Sequence, residues 1–94
     1  MSKSIIQNEK VCFVTNDTHN LHKHHIFRGS KRNAAERYGC WVWLRADWHD
    51  MAPYGVHGSQ GASLDLCLKQ KCQAEFEKIH GHDKFMQVFG RNYL

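Results

Sequence analysis

Leu21-His22-Lys23-His24-His25-Ile26-Phe27 and, further along, Cys40-Trp41-Val42-Trp43-Leu44 are the two stretches on which the fold turns. Each is a short run rich in apolar, β-branched or aromatic residues, so each reads as a β-strand. The first ends at Gly29-Ser30. Between the two, Lys31–Tyr38 reads as one or two helical turns closed by Gly39. After the second, Arg45–Met51 has no breaker before Pro53 and reads as a short helix. Upstream, Val11-Cys12-Phe13-Val14-Thr15 reads as a further strand, turning at Asn16-Asp17-Thr18.

Downstream the pattern changes. Pro53-Tyr54-Gly55 and Gly58-Ser59-Gln60-Gly61 are loop signals on either side of His57. Leu64, Leu68, Cys72, Phe76 and Ile79 then recur at three and four residues, the period of a helix with one buried face. Ser63 is the expected N-cap and Gly81 the expected residue just past its end. Asp83 is expected to cap a last helix carrying Phe85, Met86 and Phe89, closed by Gly90. The fold class is therefore α+β. One domain is expected over residues 1–94, with its core at about 11–58 and C-terminal helices at about 63–90.

A chain of 94 residues builds only a thin core, to which a bound metal can add stability. The four cysteines include no C-x-x-C pair, which argues against a four-cysteine zinc site. Met1–Lys10 has no apolar run of the signal-peptide kind, and no stretch has the roughly 18 apolar residues of a membrane helix. A cytosolic chain with reduced thiols and no membrane partner is expected. Eight histidines are the unusual count. From His22 to Arg45 six Lys and Arg face one acid, Glu36, so the basic surplus sits among the histidines. An anionic partner fits that surplus, as does a merely solvated basic face.

Four histidines stand out: His24, His25, His49 and His57. Neighbours on a regular strand point to opposite faces, so His24 and His25 serve one site only where the strand bends or ends. A catalytic metal site commonly keeps three protein ligands and an open position. His24, His49 and His57 supply three imidazoles, and His25 is then free to deprotonate a water. Phosphodiester hydrolysis needs that division between a metal that neutralises charge and a base that activates the nucleophile. Arg28, Lys31 and Arg32, with Lys23 beside the pair, are the expected DNA-phosphate contacts. Asp47 and Asp50 flank His49, where either can orient its ring or face solvent. Spacing alone does not separate a nuclease from a structural zinc site.

Leu21–Phe27, Tyr38-Gly39-Cys40-Trp41-Val42-Trp43-Leu44, His49-Asp50-Met51 and Gly55-Val56-His57 together resemble the HNH endonucleases. More narrowly, the chain is similar to a small phage and prophage group related to recombination-enhancement nucleases. The closing Gly81-His82-Asp83-Lys84-Phe85-Met86-Gln87-Val88-Phe89-Gly90-Arg91-Asn92-Tyr93-Leu94 is similar to that group's tail. The resemblance runs from about Ile5 to Leu94. It implies a ββα-metal (HNH) core with C-terminal helices and one divalent ion, Mg²⁺, Mn²⁺, Ni²⁺ or Zn²⁺. It implies His24 as a ligand, His25 as general base, and His49 and His57 as the remaining ligands. It also suggests a recombinase filament as a directing partner. Three departures stand in the sequence. The family's middle asparagine has no match, its place falling near Gly39-Cys40, where a backbone carbonyl would have to orient the base. Cys12 has Thr15 where a zinc partner stands in relatives. Asp50 follows His49 where asparagine is common.

Two functions from different classes follow. The first is a DNA nickase or nonspecific endonuclease. The second is a zinc-stabilised module that binds DNA or a host protein, as inhibitor or adaptor, without cutting. An RNA-binding module ranks last, since the alternation of Trp41 and Trp43 suits burial. His22 reads as a surface residue. His19, His80 and His82 read as capping or exposed, Trp48 as packing the short helix, and Cys67 and Cys72 as core filling.

Overall fold

A computed structural model describes residues 3–94. Two strands, β1 (Leu21–His25) and β2 (Trp41–Arg45), pair antiparallel, with His24 opposite Val42 and His25 opposite Trp41. Between them a 3-10 turn (Gly29–Lys31) leads into α1 (Arg32–Tyr38). A π-helical turn (Asp47–Met51) follows β2, and α2 (Ala62–His80) and α3 (His82–Phe89) complete the chain. The architecture is mixed α+β.

A two-stranded sheet is marginal alone and needs a covered apolar face. Ile26, Val42 and Leu44 share one buried cluster with Leu68, Cys72 and Phe76 of α2 and Phe85 and Phe89 of α3. Phe27 joins the halves by stacking on Phe89 at 4.2 Å and meeting Phe85 edge-on at 5.8 Å. On α2 the buried stripe is narrower than its periodicity suggests. Ile79 is 61% exposed and Cys67 is exposed, so of the two helix cysteines only Cys72 fills the core.

Four local expectations are corrected. Val11–Thr15 forms a turn, not a strand. Cys12 N–H donates to Asp17 O, and Asn16 N–H to Cys12 O, with Asn16 in the left-handed region at φ 63°. The segment before β1 instead seals the outer edge of β2. Ser4 Oγ donates to Trp41 O at 2.7 Å, Trp43 N–H to Gln7 Oε1 at 2.7 Å, and Phe13 N–H to Trp43 O at 2.8 Å. An open strand edge is a liability, and here it is satisfied largely by side chains. Gly39 permits the crossing. Its φ is +74°, and a Cβ there would lie 2.1 Å from Lys3 O.

The short helix expected at Arg45–Met51 is only the π-helical turn Asp47–Met51, since Arg45 still belongs to β2. Pro53 disfavours helical geometry for the residue before it, and Ala52 is extended at φ −145°, ψ 155°. Finally, Ser63 lies inside α2. The cap position is Gly61, with no side-chain capping bond, and at α3 Gly81 takes the place expected of Asp83.

Candidate metal centre

His24 comes from the fourth position of β1 and points into the protein, 1% exposed. A buried imidazole normally satisfies both nitrogens. His24 Nε2 is buried and has no hydrogen-bond partner among the described residues. Two other imidazoles surround it. His49 stands on the π-helical turn, its ring centroid 5.3 Å from that of His24. His57 stands on the loop before α2, 5.1 Å from His24 and 4.8 Å from His49. One nitrogen of each ring lies within 4.8 Å of the others.

The loop is held to the turn by its backbone. Val56 N–H donates to Trp48 O at 2.8 Å, and His57 N–H to His49 O at 2.9 Å. Gly55 makes this possible, because a Cβ there would lie 2.6 Å from Asp47 O. The π-helical turn thus spends its carbonyls on the loop instead of on its own next turn, and π turns often occur at functional sites for such reasons.

Burial, and after it the neighbouring His49 and His57, lowers the His24 pKa to about 3. Burial likewise lowers His49 and His57 below the ordinary imidazole value. A metal-binding imidazole must be neutral, so these shifts favour ligation at neutral pH. His49 Nδ1 lies 3.0 Å from His22 Nδ1. Giving its Nδ1–H to His22 would leave His49 Nε2 with its lone pair for the cluster. His22 is therefore no bystander, although its side chain is 41% exposed. With Asp50 and His49 it forms a second set of convergent ligand atoms. Asp50 stands 3.7 Å from His49 Nδ1, an electrostatic neighbour rather than a hydrogen-bond partner. Asp47 is turned away, paired bidentately with Arg45 at 2.7 and 2.9 Å.

His25, one residue on, takes the other side of the strand. Its Nε2 lies 3.0 Å from Glu36 Oε1 on α1. Lys23 Nζ reaches the same oxygen at 2.7 Å. These hydrogen bonds, Lys23 first and His25 second, hold the Glu36 carboxyl below its usual range. Neither Gly39 nor Cys40 supplies the orienting group expected of that position. Their carbonyls accept from Ile5 and Ile26, both at 3.0 Å, and the Cys40 side chain is buried against Cys72. Glu36 was invisible as a partner because it is distant in sequence and reads as an ordinary helix acid. The signal was there, however, as the sole acid of the basic stretch.

His24, His25, His49 and His57 line one cleft of about 290 Å³, together with Lys23, Arg28 and Arg32. No carboxylate lines it, so its field suits an anion. Arg28 donates from Nη1 to His57 Nδ1 and lies 3.4 Å from Asp65 through Nη2. Lys31 ends the 3-10 turn nearby in sequence but does not line the cleft. No helix among the described residues is long and apolar enough to cross a membrane. No family model, curated protein or solved structure matches the chain.

Proposed function

We propose that the chain is a metal-dependent DNA endonuclease or nickase built on a ββα-metal core, with one divalent ion on His24, His49 and His57. The observation that carries this function is the buried Nε2 of His24, without a hydrogen-bond partner among the described residues and ringed by two further neutral imidazoles from separate elements. Such a donor set fits Zn²⁺, Ni²⁺ or another ion that accepts nitrogen ligands. Bound there, the ion would neutralise charge developing on the phosphate and the leaving oxygen.

The chain's own residues do the rest. His25 is the base. With Nε2 turned to Glu36, Nδ1 is the nitrogen that takes a proton from the attacking water. Glu36 fixes the tautomer and lies beside the positive charge that forms on the ring. Arg28 and Arg32 in the cleft wall, with Lys23 and Lys31, hold the DNA backbone. A recombinase filament as the directing partner remains part of the same proposal.

One observation favours the rival, a zinc-stabilised module that binds DNA or a host protein without cutting. His25 has a structural partner in Glu36, so its presence by itself does not require catalysis. The deciding experiment is plasmid nicking by wild type and His25→Ala at low salt, with and without Mg²⁺, Mn²⁺, Ni²⁺ or Zn²⁺. Nicking only with metal, falling by about 10²–10⁴-fold in His25→Ala while metal binding is unchanged, is the expected result. A wild-type protein that binds metal yet never cuts any DNA form, alone or with a recombinase filament, leaves the structural module in its place.

A further inference from the structure

The sheet has a second face, which His24, His49 and His57 do not use. Directly opposed residues of an antiparallel pair share a face, as do residues two apart on one strand. His25 opposes Trp41 and Lys23 opposes Trp43, so these four side chains share one face. Trp41 and Trp43 meet edge to face, centroids 5.5 Å apart and planes at 85°, forming an aromatic corner. Lys23 Nζ sits 4.2 Å above the Trp41 ring and Lys10 Nζ 4.6 Å above that of Trp43. The corner opens into a cleft of about 600 Å³, whose walls include Lys3, Lys10 and a single acid, Glu9. Lys3 and Lys10 make no ion pair among the described residues. In the same wall, Trp41 Nε1 is a buried donor without an acceptor among the described residues.

We infer that this face is a stacking site for an unpaired DNA base, placed so that the strand it belongs to leads onto His25. This rests on the nuclease reading only for the choice of DNA as the polymer. The chemistry is that of single-strand recognition, with aromatic faces for the bases and lysines for the adjoining phosphates. Lys10 is exposed and, among the described residues, its ammonium lies over the Trp43 ring and in no ion pair, so it can yield that face to a base and turn its ammonium to a phosphate. A base oxygen or a phosphate would also bring the acceptor that Trp41 Nε1–H lacks. Continuity with the histidine cleft comes through Lys23, which touches Trp41, bonds Glu36 beside His25, and lines the histidine cleft. In a duplex both faces of each base are taken by its neighbours, so only an unpaired or extruded base can enter the corner. The site therefore predicts a preference for single-stranded or locally opened DNA.

The test is binding, read in chelator so that no metal-dependent cutting occurs. A Trp48→Phe background leaves Trp41 and Trp43 as the only tryptophans. Fluorescence is titrated with a short oligothymidylate and, separately, with a duplex of equal length, at low and high salt. Expected are quenching by the single strand at low salt, affinity at least 10-fold weaker in Trp43→Ala, recovery of most of it in Trp43→Phe, and less than a 2-fold effect of either change on the duplex. Single strand and duplex weakening alike in Trp43→Ala, or no change in either, overturns the proposal. Quenching and its loss in Trp43→Ala, in a protein that never nicks DNA, would sink the nuclease and leave the stacking site standing. Nicking with no effect of Trp43→Ala on single-strand binding would do the reverse.

Discussion

His24 and Gln73 are the buried polar residues of the described chain, 1% and 0% exposed, and they are treated in opposite ways. Gln73, on α2, has its amide fully engaged. Its Nε2 donates to Glu77 at 2.8 Å and Asn92 at 2.6 Å, and its Oε1 accepts Tyr93 N–H at 2.7 Å. It ties the C-terminal tail to the long helix. His24, on β1, keeps Nε2 out of water and, among the described residues, out of every hydrogen bond, close to two more imidazoles. Burying an unpaired polar atom costs about 1–3 kcal/mol, so a marginal domain of this size keeps one only for a reason. The helical half spends its buried polar group on the fold. The sheet half withholds its own from the fold, which is what a ligand site requires.

The largest expected effect breaks the pair apart by substitution. His24→Leu should weaken Zn²⁺ or Ni²⁺ binding by about 100-fold or more, since even residues that merely support ligands contribute about 10–100-fold. The metal-free His24→Leu protein should melt at or above wild type, because the unpaired atom has gone. Gln73→Leu should do the opposite, leaving metal affinity unchanged and lowering stability by about 1–3 kcal/mol, since Tyr93 N–H and Asn92 lose their partner. Calorimetry with and without metal measures both. A His24→Leu protein destabilised as much as Gln73→Leu would erase the distinction between the two sites.

A graded effect comes from pH. His24 has a folded pKa of about 3, lowered by burial, while an unfolded histidine titrates near about 6.5. Below that value the unfolded chain binds the proton and the folded one does not, so unfolding is favoured. Stability of the metal-free protein should be level above about pH 6.5 and fall steadily from there toward pH 3. His49 and His57, shifted in the same direction, add to the fall. Glu36 and Asp17, whose carboxyls are lowered by their hydrogen bonds, add to it only at the acid end. Melting temperatures across pH 4–8 check this, and His24→Leu should flatten the upper part of the curve. A wild-type curve that is flat from pH 7 to 5 would show that His24 is not held neutral by its surroundings.

The smallest effect sharpens the helical side. Ser63→Ala should change stability by less than about 0.5 kcal/mol, because Ser63 does not cap α2. A loss of the roughly 1 kcal/mol typical of a capping residue would restore Ser63 to the role that its sequence position suggests.

Much of the scaffold was legible. β1, β2 and the two C-terminal helices follow from short apolar, β-branched and aromatic runs, from the recurrence of Leu68, Cys72 and Phe76, and from glycines at helix ends. The misread segments share one cause. Val11–Thr15 is apolar enough for a strand, but its backbone bonds are closed by Asp17 and its own turn. Arg45–Met51 carries no breaker, yet Pro53 and the loop it begins draw the carbonyls of Trp48 and His49 away from a regular helix. Local propensity says what a segment can form, and long-range hydrogen bonds decide which of those it does form.

The same division runs through the site. The sequence by itself determined the inventory: the adjacent pair His24-His25, the downstream His49 and His57, and a basic stretch with one acid. Only the tertiary structure decided the partners. It buried His24 and turned His25 to Glu36, because alternate strand positions face opposite sides. It drew His57 onto His49 through a glycine that allows two backbones to touch, and it set His22 behind His49. Residue identity fixes which chemistry is available, but the geometry that joins those residues depends on contacts between segments that no local pattern encodes.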